Sequence, residues 1–370
     1  MRVLYPLRFD ATEKGGGDVI QIHKYARFVE EAGGQAVFTS SLKPDASNCD
    51  LIHASNIDRP ETYFQVMHVA RHFPKVPLIF TPIHHSNVQR RKYEAHGRRG
   101  SLRVVNALVP SYQFREALKF LVRGLKKRAL FLASCRFLTV RKPQKKIAAK
   151  ATLALLASEA ERKWCEEDYQ IHFARQEIFP NGFQKTDMVA DDVPRDIDVI
   201  MTGRIESRKN QVAVLKALSG TNLKVCMLGA LNQRHQGYLA EFRQLLAANP
   251  TFEYLGARSH PETLSLLNRS KVYISASWLE VMSLSDLEAF AAGCRVIASL
   301  HGSTHEVLGK EVRYVNPASI EEIRTILLDE LGKDVPGATK QRSTLLEKYQ
   351  WENLGRTLVQ IYHREMQPDV

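Results

Sequence analysis

The sequence predicts an α/β protein of two successive βα domains, each a parallel sheet with helices on both faces. Two observations carry this. Short apolar runs alternate with helical stretches along most of the chain, the pattern that builds parallel sheets. The pattern lapses between Gln184 and Asp196 and then restarts, which divides the 370 residues into two units of ordinary domain size.

The first half reads in order. VLYPL is a strand, FDATEKGGGDV a glycine-rich loop, and IQIHKYARFVEEAGG a helix stopped at Gly33. QAVFTS and CDLIHAS are strands, a helix follows near Glu61 to Phe73, and VPLIFTPIHH is a strand that ends in a loop. ATLALLASEAER reads as a strand running into a helix, and IFPNGF as a strand running into a turn. The second half repeats the scheme. IDVIMTGRI, LKVCMLGA, FEYLGARS, KVYISAS and CRVIAS are strands, separated by the helices QVAVLKAL, YLAEFRQLLAAN, PETLSLLNRS and SDLEAFAAG. A last helix runs from about Trp351 to Arg364. The expected domains are 1–190 and 191–348, with 349–370 packing back on the first.

Charge narrows the function. The net charge is +12, yet Gln89 to Lys150 holds 18 Lys or Arg against Glu94 and Glu116, so this segment is +16 and the remainder −4. Local basicity points to a polyanionic partner. Within it, Phe114, Leu118, Leu121, Val122, Leu125 and Leu132 form an apolar stripe, with Arg115, Lys119, Arg123, Lys126 and Lys127 on the other face. That is a basic amphipathic helix suited to an anionic membrane surface. No aromatic or zinc pattern supports nucleic acid as the partner. The five cysteines are scattered with no CxxC pair, which suits a reducing cytoplasm. No apolar run is long enough to span a bilayer, and the N-terminus does not read as a signal peptide.

The stretch EVMSLSDLEAFAAG, residues 280 to 293, holds the densest chemistry. Ser285 to Glu288 fits a capping box, with the serine capping and the glutamate bonding back. The same helix start follows a parallel strand and offers free N–H groups to an anion. Glu280 precedes the helix and projects from the loop.

With its flanks, WLEVMSLSDLEAFAAGCRVIAS resembles the E-x7-E segment of the retaining glycosyltransferases of the GT-B fold, the group that includes family 4. The glycine loop with its helix, IFPNGF, TGRIESRKN, and FEYLGARSHPETLSLLNRSKVYISAS resemble further segments of that family, in the same order. The resemblance implies two Rossmann-like domains facing a central cleft. It implies that Glu288 holds the ribose hydroxyls and Glu280 the donor sugar. Arg204 and Lys209 would clamp the diphosphate beside Gly203, with backbone N–H groups near Ser283 and Leu284 completing the cradle. Arg258, in the segment Ala257 to Ser259, would flank the base. His84 or His85 would lie near the sugar, and Gly16 and Gly17 would let backbone approach donor or acceptor. The family's G-F-G-L-P is here Val281-Met282-Ser283-Leu284-Ser285; a side chain at Val281 is expected to narrow the site or force another backbone conformation.

The function expected is retaining transfer from a UDP- or GDP-sugar by same-face attack, without a metal or other cofactor. The acceptor would be a lipid-linked saccharide or other glycan of bacterial surface polysaccharide synthesis, met in the cytoplasm at the inner face of the membrane. The alternatives are a catalytically inactive scaffold of the same fold and, less so, a nucleic-acid-binding protein.

Overall fold

The computed structural model describes residues 1–9, 11, 17–98, 114–115, 118, 121–122, 128–183, 193–337 and 340–367. The chain forms two compact units. One comprises Met1–Ser86, Ala107–Asn181 and Glu352–Val370; the other comprises Asn87–Asn106 and Gly182–Trp351. Of the residues described, 87–98 group with the second unit.

The first unit is a six-stranded parallel sheet of β1 (Arg2–Pro6), β2 (Gln35–Thr39), β3 (Leu51–Ser55), β4 (Leu78–Thr81), β5 (Leu153–Leu156) and β6 (Gln176–Ile178). Its order is β2-β1-β3-β4-β5-β6. Leu4, Ile52, Ala54, Phe80, Ala154 and Leu156 form an apolar core on one face. The other side is more polar. His53 is fully buried and hydrogen-bonds Tyr362 of the last helix, Trp351–Met366, through Nδ1 and Thr81 through Nε2. Burial pushes its imidazole down to about 3. Arg175 forks onto Glu365 of the same helix with two bonds of 2.7 Å. The C-terminal helix is therefore fastened into the first unit.

The second sheet is built of β7 (Ile197–Thr202), β8 (Val225–Leu228), β9 (Phe252–Gly256), β10 (Ser270–Ile274), β11 (Arg295–Ser299) and β12 (Arg313–Val315). Its order is β12-β11-β10-β7-β8-β9. Strand alternation explains the continuous apolar runs. Val199, Met201, Val225, Met227, Val272 and Ile274 enter one core. Ile200, Cys226, Leu228, Tyr273 and Val296 enter another.

In each sheet the strand order reverses direction once, between β1 and β3 in the first and between β7 and β10 in the second. Crevices at such points, outside the C-terminal strand ends, are where open α/β sheets bind ligands. Several elements escape the sequence reading, among them β12, the short helices Pro143–Ala148 and Thr304–Leu308, and the helix Ile320–Leu331 capped by Ser319. No helix among the described residues is long and apolar enough to cross a membrane.

Candidate functional site

The second unit gathers its chemistry at the β7/β10 reversal. β7 ends in Gly203, whose φ of +129° only glycine adopts freely. A Cβ on Gly229, at the end of β8, would lie 2.1 Å from the Gly203 carbonyl oxygen, so β8 and the loop after β7 meet backbone to backbone. That loop, Arg204 to Asn210, is braced from beneath. Gln211 Nε2 donates to the Arg204 carbonyl at 2.9 Å, and Asn232 Nδ2 to buried Glu206 at 2.7 Å. Asn210 takes a left-handed conformation and donates to the Pro317 carbonyl at 2.8 Å. The braces leave Arg204 exposed and Lys209 partly so.

The loop after β10 comes to meet it. The Trp278 N–H donates to the Arg208 carbonyl at 2.8 Å. Lys209 Nζ donates to Glu280 Oε1 in an ion pair that is mostly, not fully, shielded from solvent. The loop after β11 supports Glu280 from the far side. Ser303 N–H donates to the Val281 carbonyl, and a Cβ on Gly302 would stand 3.2 Å from that of Glu280.

The helix Leu284–Ala291 starts here. Its cap is Ser283, whose Oγ accepts from the Asp286 N–H and donates to Asp286 Oδ1 at 2.6 Å. This corrects the expected capping box at Ser285 and Glu288. The cap sits two residues earlier, and a reciprocal Ser-x-x-Glu box is formed instead by Ser259 and Glu262. Glu288 is thereby released from capping. Its Oε1 accepts from His260 Nε2 at 2.9 Å, and its side chain keeps partial exposure. The first-turn N–H groups of Leu284 and Ser285 have no acceptor within the helix and carry its positive dipole end.

Asp286 is the buried hub of this turn. It accepts from Ser283, from Thr304 at 2.8 Å and from Tyr273 at 3.3 Å. Burial lifts its carboxyl to about 6 against those bonds. His301 donates from Nδ1 to the Trp278 carbonyl at 3.1 Å, and burial lowers its basicity. The altered loop does not need the glycines of the related pattern. The non-glycine residues with positive φ among those described are Asn56, Ile83, Lys142, Gln170 and Asn210, so Val281 and Ser283 hold ordinary backbone. The Val281 side chain is buried at 7% exposure.

The other expected residues distribute as follows. Arg258 is exposed just beyond β9, near Glu262. Gly17 opens the first helix, Gly17–Glu31, with open space where a Cβ would stand, and Gly16 lies outside the described residues. His84 differs from expectation. It is fully buried, with Nδ1 3.2 Å from Asp58 and Nε2 2.9 Å from Asp168. Its N–H donates to Glu161, which also accepts from the Ala157 N–H. Burial pushes the Glu161 carboxyl up to about 7 despite these donors. This cluster stabilises the turn at Ile83, a β-branched residue at φ +50°. His84 is a brace of the loop after β4, and His85 is the half-buried member of the pair. Arg115 is buried at 6% exposure and so does not face a membrane, whereas Lys119, Arg123, Lys126 and Lys127 lie outside the described residues. No group of three or more His, Cys, Asp or Glu side chains suited to a metal occurs among the described residues.

Comparison with solved structures fixes the architecture. A sucrose-phosphate synthase of Thermosynechococcus elongatus superposes with a TM-score of 0.71 at 15% identity, covering 98% of both chains. The fold is GT-B. HepE of Anabaena, solved in complex with UDP, gives a TM-score of 0.69 at 14% identity over 98% of this chain and 100% of that one. Residues 187–341 of this GT-B protein match the family described as Glycosyl transferases group 1. A curated relative, an uncharacterized glycosyltransferase of Methanocaldococcus jannaschii, is 25% identical over 178 residues. That match spans 46% of this chain and 45% of the relative's length.

Proposed function

We propose that this GT-B protein is a glycosyltransferase that takes a sugar from a nucleoside diphosphate donor and passes it to an acceptor hydroxyl with retention. The observation that carries the reading is the contact of Lys209 with Glu280 at the head of the helix Leu284–Ala291. A cation for phosphate, a carboxylate for hydroxyls and a set of unused helix N–H groups meet at one reversal point. A sugar attached to a diphosphate presents those same groups side by side. Glu288, steadied by His260, would accept from the vicinal diol of the ribose. The UDP bound by HepE is in keeping with such a donor.

In the reaction, the anomeric carbon–oxygen bond breaks and the leaving diphosphate gains charge. Arg204, Lys209 and the helix dipole stabilise that charge where it develops. The acceptor hydroxyl forms the new bond on the same face and gives its proton to the departing phosphate oxygen. Glu280 orients the sugar rather than attacking it.

The acceptor is proposed to be a lipid-linked saccharide or other glycan of surface polysaccharide synthesis, reached at an anionic membrane. The +16 segment supports this. So do exposed Leu132 and Leu138 of the helix Arg128–Leu138, beside exposed Arg136, Arg141 and Lys142. Pelleting with anionic vesicles at low salt checks it; a protein that stays in the supernatant removes the membrane from the account. The transfer itself is checked by offering UDP- and GDP-sugars with simple glycan acceptors and reading the product anomer by NMR. Retained configuration is expected, and an inverted product contradicts the mechanism.

A further inference from the structure

Two loops make the donor site, and a third element holds both. Asn87–Lys92 is a short helix that runs into the π-turn Tyr93–Gly97, and both pack within the second unit. Tyr93 is buried, and its hydroxyl shares a 2.7 Å hydrogen bond with Ser207 Oγ. Ser207 lies between Arg204 and Lys209 in the cation loop. The Tyr93 ring also stands 6.4 Å from the Trp278 ring, and the His96 ring stacks on the same indole at 6.4 Å and 13°. Trp278 is two residues before Glu280. Gly97 closes the contact: a Cβ there would lie 2.8 Å from Trp278 Nε1 and 2.6 Å from a Tyr93 ring carbon.

This cluster is separate from both large cores of the unit. Tyr93, Trp278 and Leu279 form an apolar group of their own, joined to the strand-end loops. Trp278 is 3% exposed, and its Nε1–H has no acceptor among the described residues. Among the described residues the indole is held under Gly97 by shape.

We propose that the turn Tyr93–Gly97 is a clasp that fixes the cation loop against the sugar loop, with Tyr93 and Trp278 as positioning residues for the sugar end of the donor. What the clasped loops hold rests on the donor reading; the clasp itself does not. Tyr93→Phe removes only the hydroxyl and keeps the ring. Hydrogen exchange of peptides covering residues 204–209 and 278–283 should rise about tenfold in this variant, with the β7 and β10 strands unchanged. Ser207→Ala, which also loses the 3.4 Å contact of its Oγ with His235 Nδ1, should loosen both loops at least as much, and adding Tyr93→Phe to it should bring no further loosening, because the Tyr93–Ser207 bond is already gone. Gly97→Ala, which sets a methyl against the indole, should loosen residues 278–283 more than 204–209. In turnover, Tyr93→Phe should raise the KM for the nucleotide-sugar several-fold while the acceptor KM stays. Faster exchange confined to residues 93–98, or additive effects of Tyr93→Phe and Ser207→Ala, would overturn the clasp. A wild-type protein that binds no UDP or GDP would sink the donor reading, and the exchange result would still decide the clasp.

Discussion

The two sheets have six parallel strands each, and both units bury some ionisable groups, Asp286 and Glu206 in the second among them, yet the residues offered for the site differ in exposure. In the first unit three ionisable side chains are buried as braces. His53 sits in the core, His84 lies between Asp58 and Asp168, and Glu161 is spent on two backbone N–H groups. The second unit brings Arg204, Lys209, Glu280 and Glu288 to the strand ends with surface remaining on each. A buried charge with every donor and acceptor engaged is a brace; a partly exposed one at a reversal point is available to a ligand. The contrast separates His84 from Glu288, both of which the family resemblance offers for the site.

The largest effect should come from breaking the backbone contact under the cation loop. Gly229→Ala places a methyl against the Gly203 carbonyl at a φ of +137°, and it should cost about 4 kcal/mol in thermal or denaturant unfolding of the second unit. Wild-type stability in that variant would mean the loop is not held as described. Next, Lys209→Ala should lower transfer by about a hundredfold or more, and it should also lower the melting temperature, since Glu280 loses the cation of a largely shielded ion pair. Equal turnover would place the diphosphate elsewhere.

Titration sharpens the same comparison. The Glu161 carboxyl is raised in the fold to about 7 from an ordinary 4.5, so the folded state holds its proton longer than the unfolded chain does. Its contribution is fully present below about pH 4.5 and is lost as pH rises to about 7, a change of about 3 kcal/mol. In melts from pH 5 to 8, wild type should therefore lose stability relative to Glu161→Gln, whose amide does not titrate. A constant gap would show that Glu161 stays ionised throughout. The smallest effect is the cap. Ser283→Ala should cost about 1 kcal/mol, and Ser285→Ala should cost less. The reverse order would restore the cap to Ser285.

Much of the fold was legible. Strand after strand in the second half is an unbroken apolar run, because both sheet faces are buried. β12 was not, since three residues are too few for a pattern. The cations and carboxylates of the candidate site could be proposed from the sequence because each falls in a local stretch, TGRIESRKN or EVMSLSDLE. Their supports were not, because they come from afar. His260 is 28 residues from Glu288, and Tyr93 is 114 from Ser207. The burial of His84 was unreadable for the same reason. A histidine at a strand end reads as accessible, and the carboxylates that enclose it lie 26 and 84 residues away. The cap was misplaced because Ser283 and Ser285 compete within one turn and only the backbone decides between them.

Glu288 is proposed to be held for a ligand and not for its helix. Calorimetric titration of UDP, GDP, ADP and CMP into wild type and Glu288→Ala tests it most directly. The account predicts that one nucleoside diphosphate binds wild type with a Kd on the order of micromolar and binds the variant at least about tenfold more weakly, with both proteins melting at nearly the same temperature. Equal binding by the two proteins, or a variant that loses its helix along with its affinity, would contradict it.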